Sequence, residues 1–402
     1  MCSLQPSRRL ASSIVFAACA LVSPKAHPGP APPQPPPAAS ASPSAPSFDT
    51  LAARAAKARD AGRLDEAVGL YRRALAAKPS WLEGRWALAT LLYDQDRFGE
   101  ARAEFERVVR ARPADGQARA LLGLCRSRLG EREEALADLM KARELGIPAA
   151  EVRSVATFQA ALLLNRLGDP DGAFELLRAF ATDADDRPAV IEAFGLAMLR
   201  LPLMPDELAE DMRERVVLAG RGGYHLARGR GAVGRMALEE LVSRFPSIPN
   251  AHYALGTYLL VDDPAGAIAE LHRELGVSPG HYAALVQIAL AELKRGRSAE
   301  ALAAGEEAAR VAPSVPAARL AHGRALLAAG RPEAAVGEME AAVRLAPENP
   351  RLRFALGQAY AAAGRDADAA RERAEFLKLQ KASGGAPVPP GEEPGRPSPD
   401  GG

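Results

Sequence analysis

Small and apolar residues recur along this chain at the spacing of amphipathic helices. They run from Ala317 to Ala329 and again from Pro332 to Leu345, and Gly330 breaks the pattern between the two stretches. Pro347 ends the second stretch, because proline cannot continue the hydrogen-bond ladder of a helix. The pattern therefore predicts two short helices joined by a tight turn.

This helical hairpin is one copy of a repeat whose landmarks recur in steps of 34 residues. The landmarks are Gly296, Gly330 and Gly364; Ala301, Ala335 and Ala369; Pro313 and Pro347; and Gly323 and Gly357. Small residues such as Gly323 and Ala335 let the two helices of a hairpin approach closely. One hairpin cannot bury its apolar face alone, so we expect the copies to stack.

The N-terminal half of the chain carries the same step of 34 residues. The recurring positions are Ala67, Ala101 and Ala135; Tyr71, Phe105 and Leu139; and the pairs Lys78-Pro79 and Arg112-Pro113. Asp96 stands where neighbouring copies have a turn glycine, and a weaker fourth copy contains the turn at Gly168.

The repeat length, the small residue midway along the first helix, the alanine early in the second helix and the closing proline resemble the tetratricopeptide repeat family. The resemblance implies an all-α, right-handed superhelical solenoid of stacked helix-turn-helix repeats. It also implies that the first helix of each repeat lines a concave groove, which takes an extended peptide or a partner helix.

Composition and repeat pattern divide the chain into six segments. We predict a signal peptide (1–22), a disordered tether rich in Pro, Ala and Ser (23–47), a first repeat block (48–182), a segment of degenerate helical repeats (183–234), a second repeat block (235–380) and a disordered tail (381–402). The segment 183–234 could instead be a linker, but Val190–Leu201 and Leu208–Leu218 are too apolar and too periodic for a solvated linker.

The first residues have the order of an export signal. Arg8 and Arg9 precede the apolar run Leu10–Val22, which is shorter than the roughly 20 residues that cross a bilayer. We expect cleavage near Ala20 and a mature chain without a membrane span, located in the periplasm, on the envelope or outside the cell. Lipidation of Cys19 and an unprocessed N-terminus are the alternatives.

Charge and cysteine content exclude some classes of function. The chain has 51 Lys and Arg residues and 50 Asp and Glu residues, so its surface has no basic excess that would attract nucleic acid. Cys125 lies among Leu121, Leu122, Leu124 and Leu129, which favours a buried structural thiol over a catalytic one.

None of the short motifs in the sequence predicts a cofactor site or a metal site. Gly229–Gly234 fits G-x-G-x-x-G, but no strand precedes it, as a dinucleotide site requires. The pairs Tyr224-His225, His252-Tyr253 and His281-Tyr282 lie in different repeats, which favours packing at helix starts over zinc binding. The acidic residues Asp183, Asp185 and Asp186 lack the glycine and distal glutamate of a calcium loop and are expected to cap the next helix.

The resemblance transfers groove positions to particular residues of this chain. They are Trp86, Thr90 and Tyr93 in the second repeat, Tyr253 and Thr257 at the start of the later block, Arg324 in the next-to-last repeat, and Phe354 and Gln358 in the last. The alternative is that these aromatic rings only fill gaps between helices. No repeat carries the lysine and asparagine, four apart, with which related grooves hold a C-terminal carboxylate.

We therefore expect a non-catalytic scaffold that binds an unidentified partner protein or peptide and needs no cofactor. The competing hypothesis is an enzyme or small-ligand binder whose site lies in the irregular segment 183–234. That hypothesis requires a deep polar pocket with convergent titratable residues in the segment.

Overall fold

The computed structural model describes residues 46–182 and 187–382, and these residues form helices and no strands. The expected all-helical repeat solenoid is confirmed. The chain divides into two compact units between Leu208 and Ala209, called unit 1 and unit 2 below. Most of the proposed tether, the proposed signal peptide with Cys19, the acidic residues at 183–186 and the tail beyond 382 lie outside the described residues.

Unit 1 contains four helical hairpins followed by a ninth helix. The helices are α1 Phe48–Asp60, α2 Leu64–Ala77, α3 Leu82–Asp94, α4 Phe98–Ala111, α5 Gly116–Arg128, α6 Arg132–Leu145, α7 Ala150–Arg166, α8 Pro170–Leu177 and α9 Pro188–Met198. A short 3₁₀ turn follows α8 at Arg178–Phe180, and another follows α9 at Pro205–Glu207.

Unit 2 contains five hairpins. The helices are α10 Glu210–Ala227, α11 Gly231–Arg244, α12 Ala251–Leu259, α13 Pro264–Val277, α14 Tyr282–Lys294, α15 Ser298–Val311, α16 Pro316–Ala328, α17 Pro332–Leu345, α18 Pro350–Ala362 and α19 Asp366–Ala382. In both units the first helix of a hairpin is called its A helix and the second its B helix.

The hairpin turns need a residue in the left-handed region of backbone space. Gly330 has a φ of +70°, and glycine adopts this conformation without steric cost. In the second hairpin Asp96 takes the same role with a φ of +57°. Aspartate is one of the few residues with a side chain that tolerates this region, which explains how the repeat survives the loss of its glycine.

Close contact between the A and B helices is confirmed at the small residues. A Cβ atom on Gly323 would lie 2.8 Å from Cγ of Met339, and Ala335 on the facing helix is fully buried. The same arrangement recurs in unit 1, where a Cβ atom on Gly123 would lie 2.8 Å from Cγ of Leu139 and 3.1 Å from the carbonyl oxygen of Ala135.

The A helices form the inner side of each stack. Neighbouring A helices contact one another directly, as in the pairs α5 and α7, α14 and α16, and α16 and α18. Among the described helices, no two B helices make comparable contacts, and each B helix packs mainly between A helices. Because the A helices are closer together, each stack curves around them.

The segment 183–234 is irregular only in its first half. After α9, Arg200 adopts a φ of +51° and the chain continues through the 3₁₀ turn without a B helix. The amide of Asn165 donates to the carbonyl oxygen of Leu201 over 2.6 Å and holds this stretch against α7. The glycine-rich half is the continuous helix α10, and Leu238 of α11 packs over Gly222 of this helix. The sequence analysis placed the boundary between the degenerate segment and the second repeat block at residue 234, which lies inside α11.

Two alanine substitutions at equivalent repeat positions should have opposite effects. Gly123→Ala forces a methyl group against Leu139 and the Ala135 carbonyl, so it should lower the free energy of unfolding by about 1–3 kcal/mol. At Gly357 the nearest atom is 3.6 Å away, so Gly357→Ala should leave stability unchanged or raise it by up to about 1 kcal/mol. Urea unfolding followed by circular dichroism measures both; equal shifts would contradict the close-packing account.

Candidate functional site

Trp86 lies on the inner helix α3 and is partly exposed. Its ring packs edge-to-face on Phe105 of α4, with 5.7 Å between the ring centroids. Phe105 is fully buried. Trp86 therefore combines two roles that sequence reasoning treated as alternatives, since one part of the ring fills the gap between helices and the rest remains accessible.

Tyr93 lies two helical turns further along the same face of α3. Its ring packs edge-to-face on Phe98, with 5.4 Å between the centroids, and the guanidinium of Arg128 covers the Phe98 ring at 4.8 Å. Burial raises the pKa of the Tyr93 hydroxyl to about 12, so the phenol is neutral at physiological pH. The side chain is partly exposed and held in place by its neighbours.

Asp94 follows Tyr93 at the end of α3. Its side chain is exposed, but the surrounding protein desolvates the carboxyl group and raises its pKa to about 6.

The two threonines predicted to face the groove each donate a hydrogen bond from the hydroxyl group to a backbone carbonyl oxygen. The Thr90 hydroxyl donates to the carbonyl oxygen of Ala87 over 3.0 Å, and Thr90 is only 7% exposed. The Thr257 hydroxyl makes the same bond to Ala254, also at 3.0 Å. Both bonds stay within the helix, so these hydroxyls contribute to packing on the inner face.

In unit 2 the predicted aromatic residues lie against neighbouring rings. Tyr253 faces the imidazole of His281 at a centroid distance of 4.7 Å, and Phe354 faces Phe376 at 5.4 Å. Tyr253, His281 and Phe354 are partly exposed, whereas Phe376 is buried. Gln358 lies one turn beyond Phe354 on α18 and is also partly exposed.

Arg324 belongs to a pocket that sequence reasoning did not find. The pocket has a volume of about 360 Å³ and is lined by Leu260, Pro264, Gln287, Leu290, Ala291, Leu293, Lys294 and Arg324. The repeat contained a signal for it, because Leu290 lies 34 residues before Arg324 and occupies the same helix position. The predicted residues thus divide between the two units: Trp86, Thr90 and Tyr93 lie on α3 of unit 1, and the other five lie on α12, α16 and α18 of unit 2.

A second missed feature is an arginine that ties three segments of a hairpin together. In α16, Arg319 donates to the carbonyl oxygen of Pro313 over 3.0 Å and to the carboxylate of Glu338 over 2.9 Å. Equivalent ion pairs, with the same separation of 19 residues, are Arg85 with Glu104, Arg119 with Asp138, and Arg353 with Glu372. The signal in the sequence was an arginine and an acid that both keep the repeat step.

His252 replaces the bridging arginine in the hairpin of α12 and α13. Its Nδ1 lies 2.7 Å from a carboxylate oxygen of Glu270, and its Nε2 lies 3.0 Å from the carbonyl oxygen of Pro246. Nδ1 of His281 accepts from the backbone N–H of Ala284 at the start of α14. Both histidines therefore sit at helix starts, as expected, whereas His225 lies in the last turn of α10, where burial lowers its pKa.

The remaining sequence motifs have structural surroundings. Gly229 forms the turn between α10 and α11 with a φ of +68°, and Gly231 to Gly234 begin α11, so a helix precedes the glycine motif. Cys125 is fully buried, and burial raises the pKa of its thiol to about 12.

The irregular segment contributes to an open depression of about 440 Å³ at α10 and α11 in unit 2. Five of the six charged side chains that line it form exposed ion pairs. Arg213 pairs with Glu210 at 3.1 Å, and Arg244 pairs with Glu214 and, at 3.2 Å, with Glu240. The depression thus presents paired surface charges, which differ from the desolvated acid, base or nucleophile of an enzyme site.

The described residues were also compared with the requirements of a membrane span and of a metal site. None of these helices combines the length and hydrophobicity that a membrane span requires. Within the same ranges, no three His, Cys, Asp or Glu side chains converge as metal ligands would.

Comparison with known families agrees with this architecture. Residues 58–142 match a family profile described as a tetratricopeptide repeat, and residues 261–316 and 320–386 match a second profile with the same description. Together the matched ranges cover more than half of the chain. The chain belongs to the tetratricopeptide repeat family.

Solved structures with a similar fold include MamA 41-end from Desulfovibrio magneticus RS-1. It is 22% identical, with a TM-score of 0.39 over 42% of this chain and 96% of that chain. TTC0263, a thermophilic TPR protein in Thermus thermophilus, is 22% identical, with a TM-score of 0.34 over 40% of this chain and 88% of that chain. No curated protein matches the chain significantly.

Removing the Asp94 carboxylate should change how stability depends on pH. The pKa of about 6 in the folded protein lies above the ordinary value of 3.8, so folding favours the protonated form and stability falls as pH rises from about 4 to above 6. Asp94→Asn should therefore raise the melting temperature at pH 7.5 and leave it nearly unchanged at pH 4. Asp262→Asn, at an exposed turn, serves as the control, and equal effects of both variants would contradict the assignment.

Proposed function

We propose that this chain is a non-catalytic scaffold that binds a partner protein or peptide on the inner faces of its helical stacks. In unit 1, Trp86 and Tyr93 anchor the partner. The observation that carries this proposal is the pair of partly exposed rings on one face of α3, each held by a second aromatic ring. Membership of the tetratricopeptide repeat family supports a protein partner.

Rigid, partly exposed rings are effective anchors for physical reasons. Tryptophan and tyrosine bury a large area on binding, and their side chains lose little entropy when neighbours already fix them. Phe105 and Phe98 provide this fixation here. Anchors of this kind dominate many protein interfaces.

The partner is held mainly by contact area in unit 1. The chain is nearly neutral overall, and its repeats lack the lysine and asparagine pair that holds a C-terminal carboxylate. Tyr93 is neutral, and Arg128 is occupied with the ring of Phe98. Binding in unit 1 should therefore depend weakly on salt.

Truncating the two anchors should weaken binding without unfolding the chain. Peptides selected from a random display library against the full chain serve as probes. Trp86→Ala together with Tyr93→Ala should weaken binding by more than about tenfold, because each anchor contributes about 2 kcal/mol or more. Raising the salt concentration should change the affinity little. Fluorescence anisotropy of the labelled peptides measures both effects.

The control uses the two tryptophans of the chain. Trp81 lies between Phe48 and Tyr71, at centroid distances of 5.1 and 5.8 Å, and serves packing. Trp81→Phe should retain peptide affinity and leave Trp86 as the one emitting tryptophan, whose fluorescence should change on binding. A peptide that binds without changing this emission, or that binds the double variant equally well, would overturn the assignment to α3.

We also propose export, on the order of charged and apolar residues at the N-terminus. The positive residues Arg8 and Arg9 before Leu10–Val22 support it. Expression in a bacterial host followed by N-terminal sequencing should show a mature start near Ala20. Blocked Cys19 carrying lipid would indicate a lipoprotein instead, and an intact Met1 on cytoplasmic protein would refute export.

A further inference from the structure

Tyr93 and Asp94 are the last two residues of the inner helix α3 and lie on the same side of it. The equivalent helix of unit 2, α14, also has 13 residues and ends in Leu293 and Lys294, which line one pocket together. Burial raises the pKa of the Tyr93 hydroxyl, and the negative charge of Asp94 adds to this rise. The inner surface of α3 therefore carries the rings of Trp86 and Tyr93 and, beside them, one carboxylate.

The Asp94 carboxylate has no partner within the described residues, where it accepts no hydrogen bond and forms no ion pair. Arg97, in the turn after α3, pairs with Glu100 at 2.8 Å. Arg128, at the end of α5, covers the ring of Phe98 at 4.8 Å. The charge of Arg128 opposes the pKa rise of Tyr93 but not that of Asp94, whose pKa desolvation raises to about 6. Asp94 is thus an acid without compensation from a cation of its own unit.

Other carboxylates near α3 are paired. Asp60 is the last residue of α1, 34 residues before Asp94, and it pairs with Arg59 at 2.9 Å. Glu83, in the first turn of α3, pairs with Arg112 at 2.9 Å. An ionised carboxylate that is desolvated and unpaired costs folding free energy, and a cation supplied by a partner would remove this cost. A residue that weakens the fold beside two exposed rings is typical of a binding site.

The neighbours of this carboxylate favour a basic side chain over a metal ion. A calcium ion takes about 6–8 oxygen ligands, whereas no three acidic, histidine or cysteine side chains converge within the described residues. The Tyr93 ring beside Asp94 suits the alkyl stem of a lysine or the planar group of an arginine. Asp96, in the following turn, is exposed and is a second negative charge that acts on Tyr93.

We propose that Asp94 selects partner segments in which a lysine or arginine lies close to the apolar side chains that contact Trp86 and Tyr93. Trp86 and Asp94 are eight residues apart on α3, which is about 12 Å along the helix axis. An extended peptide covers this distance in about four residues, and side chains four apart point to the same side. The expected segment therefore has an apolar residue, three further residues and then a basic one, in either direction. This inference rests on the proposed binding function and adds a partner chemistry to it.

The test selects peptides from a random display library against the full chain. Peptides that still bind the chain carrying both Trp86→Ala and Tyr93→Ala are discarded. In the remaining peptides, a lysine or arginine three to five residues from an apolar residue should be more frequent than in the unselected library. The tightest of them, labelled for fluorescence anisotropy at pH 7.5, is the probe for the variants below, because Asp94 is ionised at that pH.

Variants of Asp94 locate the contact on the protein. Asp94→Asn should weaken binding of the probe about fivefold, because one ion pair is lost, and Asp94→Lys should weaken it by more than about tenfold, because like charges repel. A probe with glutamate in place of its basic residue should show the reverse order and bind Asp94→Lys better than the unmodified chain. Asp60→Asn removes the same charge at the same repeat position from a carboxylate that is already paired, so affinity should stay unchanged.

Melting temperatures separate recognition from folding. At pH 7.5 Asp94→Asn should melt above the unmodified chain, because it removes an ionised, desolvated carboxylate. A variant that is more stable and yet binds the probe more weakly has lost a contact with the partner. A purely structural role of Asp94 would instead change stability and affinity in the same direction.

The outcomes separate this inference from the proposed function. Peptides that depend on Trp86 and Tyr93 but show no excess of basic residues, or that bind Asp94→Asn equally well, would overturn the inference and leave the proposed function standing. Equal losses with Asp60→Asn and Asp94→Asn would show a general attraction between charges and would overturn it as well. If no selected peptide depends on Trp86 and Tyr93, the function and the inference fall together.

Discussion

Both units depend on the close approach of the two helices in each hairpin. The facing alanines are fully buried, as Ala67, Ala101, Ala135, Ala301 and Ala335 show. Midway along the opposite helix stands glycine or another small residue, and a Cβ atom on Gly123 or Gly323 would lie within 3 Å of a neighbouring atom, whereas Gly357 in the last hairpin has more room. This spacing explains a core of alanine and leucine with few aromatic residues.

The same spacing allows a charged residue to bridge the hairpin. An arginine on the A helix reaches both the loop before it and a carboxylate on the B helix, as Arg353 does with Pro347 and Glu372. A partly buried ion pair adds little net stability compared with an apolar contact, but losing one partner is costly because a desolvated charge remains. Arginine suits the role because its planar group donates in two directions at once. The histidine at position 252 preserves this geometry with its two ring nitrogens.

The fold was predictable from the sequence because its determinants are local. Turn residues such as Gly330 and Asp96, and small residues such as Gly323, can be recognised from their spacing alone. The ion-paired arginines were harder to predict, since a charged residue on a helix usually faces solvent and only the shared repeat step distinguishes them. The pocket around Arg324 was not predictable from single residues, because it exists only where three A helices meet. The chain after α9 was also missed in detail, because Arg200 and the prolines around it form a local structure outside the repeat.

The repeat separates positions that hold the fold from positions that are free to vary. The early B-helix position is alanine in most hairpins, and its burial explains the restriction. By contrast, the A-helix position directly after the small residue midway along the helix is occupied by Thr90, Leu124, Thr257, Leu290, Arg324 and Gln358 in six of the hairpins. The side chains at this position differ in size, polarity and charge, and their burial differs as well, since Thr90 and Leu124 are buried whereas Arg324 and Gln358 are partly exposed. Differences at such a position change the chemistry of the inner face while the helices stay in place. A scaffold of this kind can therefore present an aromatic surface in unit 1 and a leucine-lined pocket in unit 2 on the same framework.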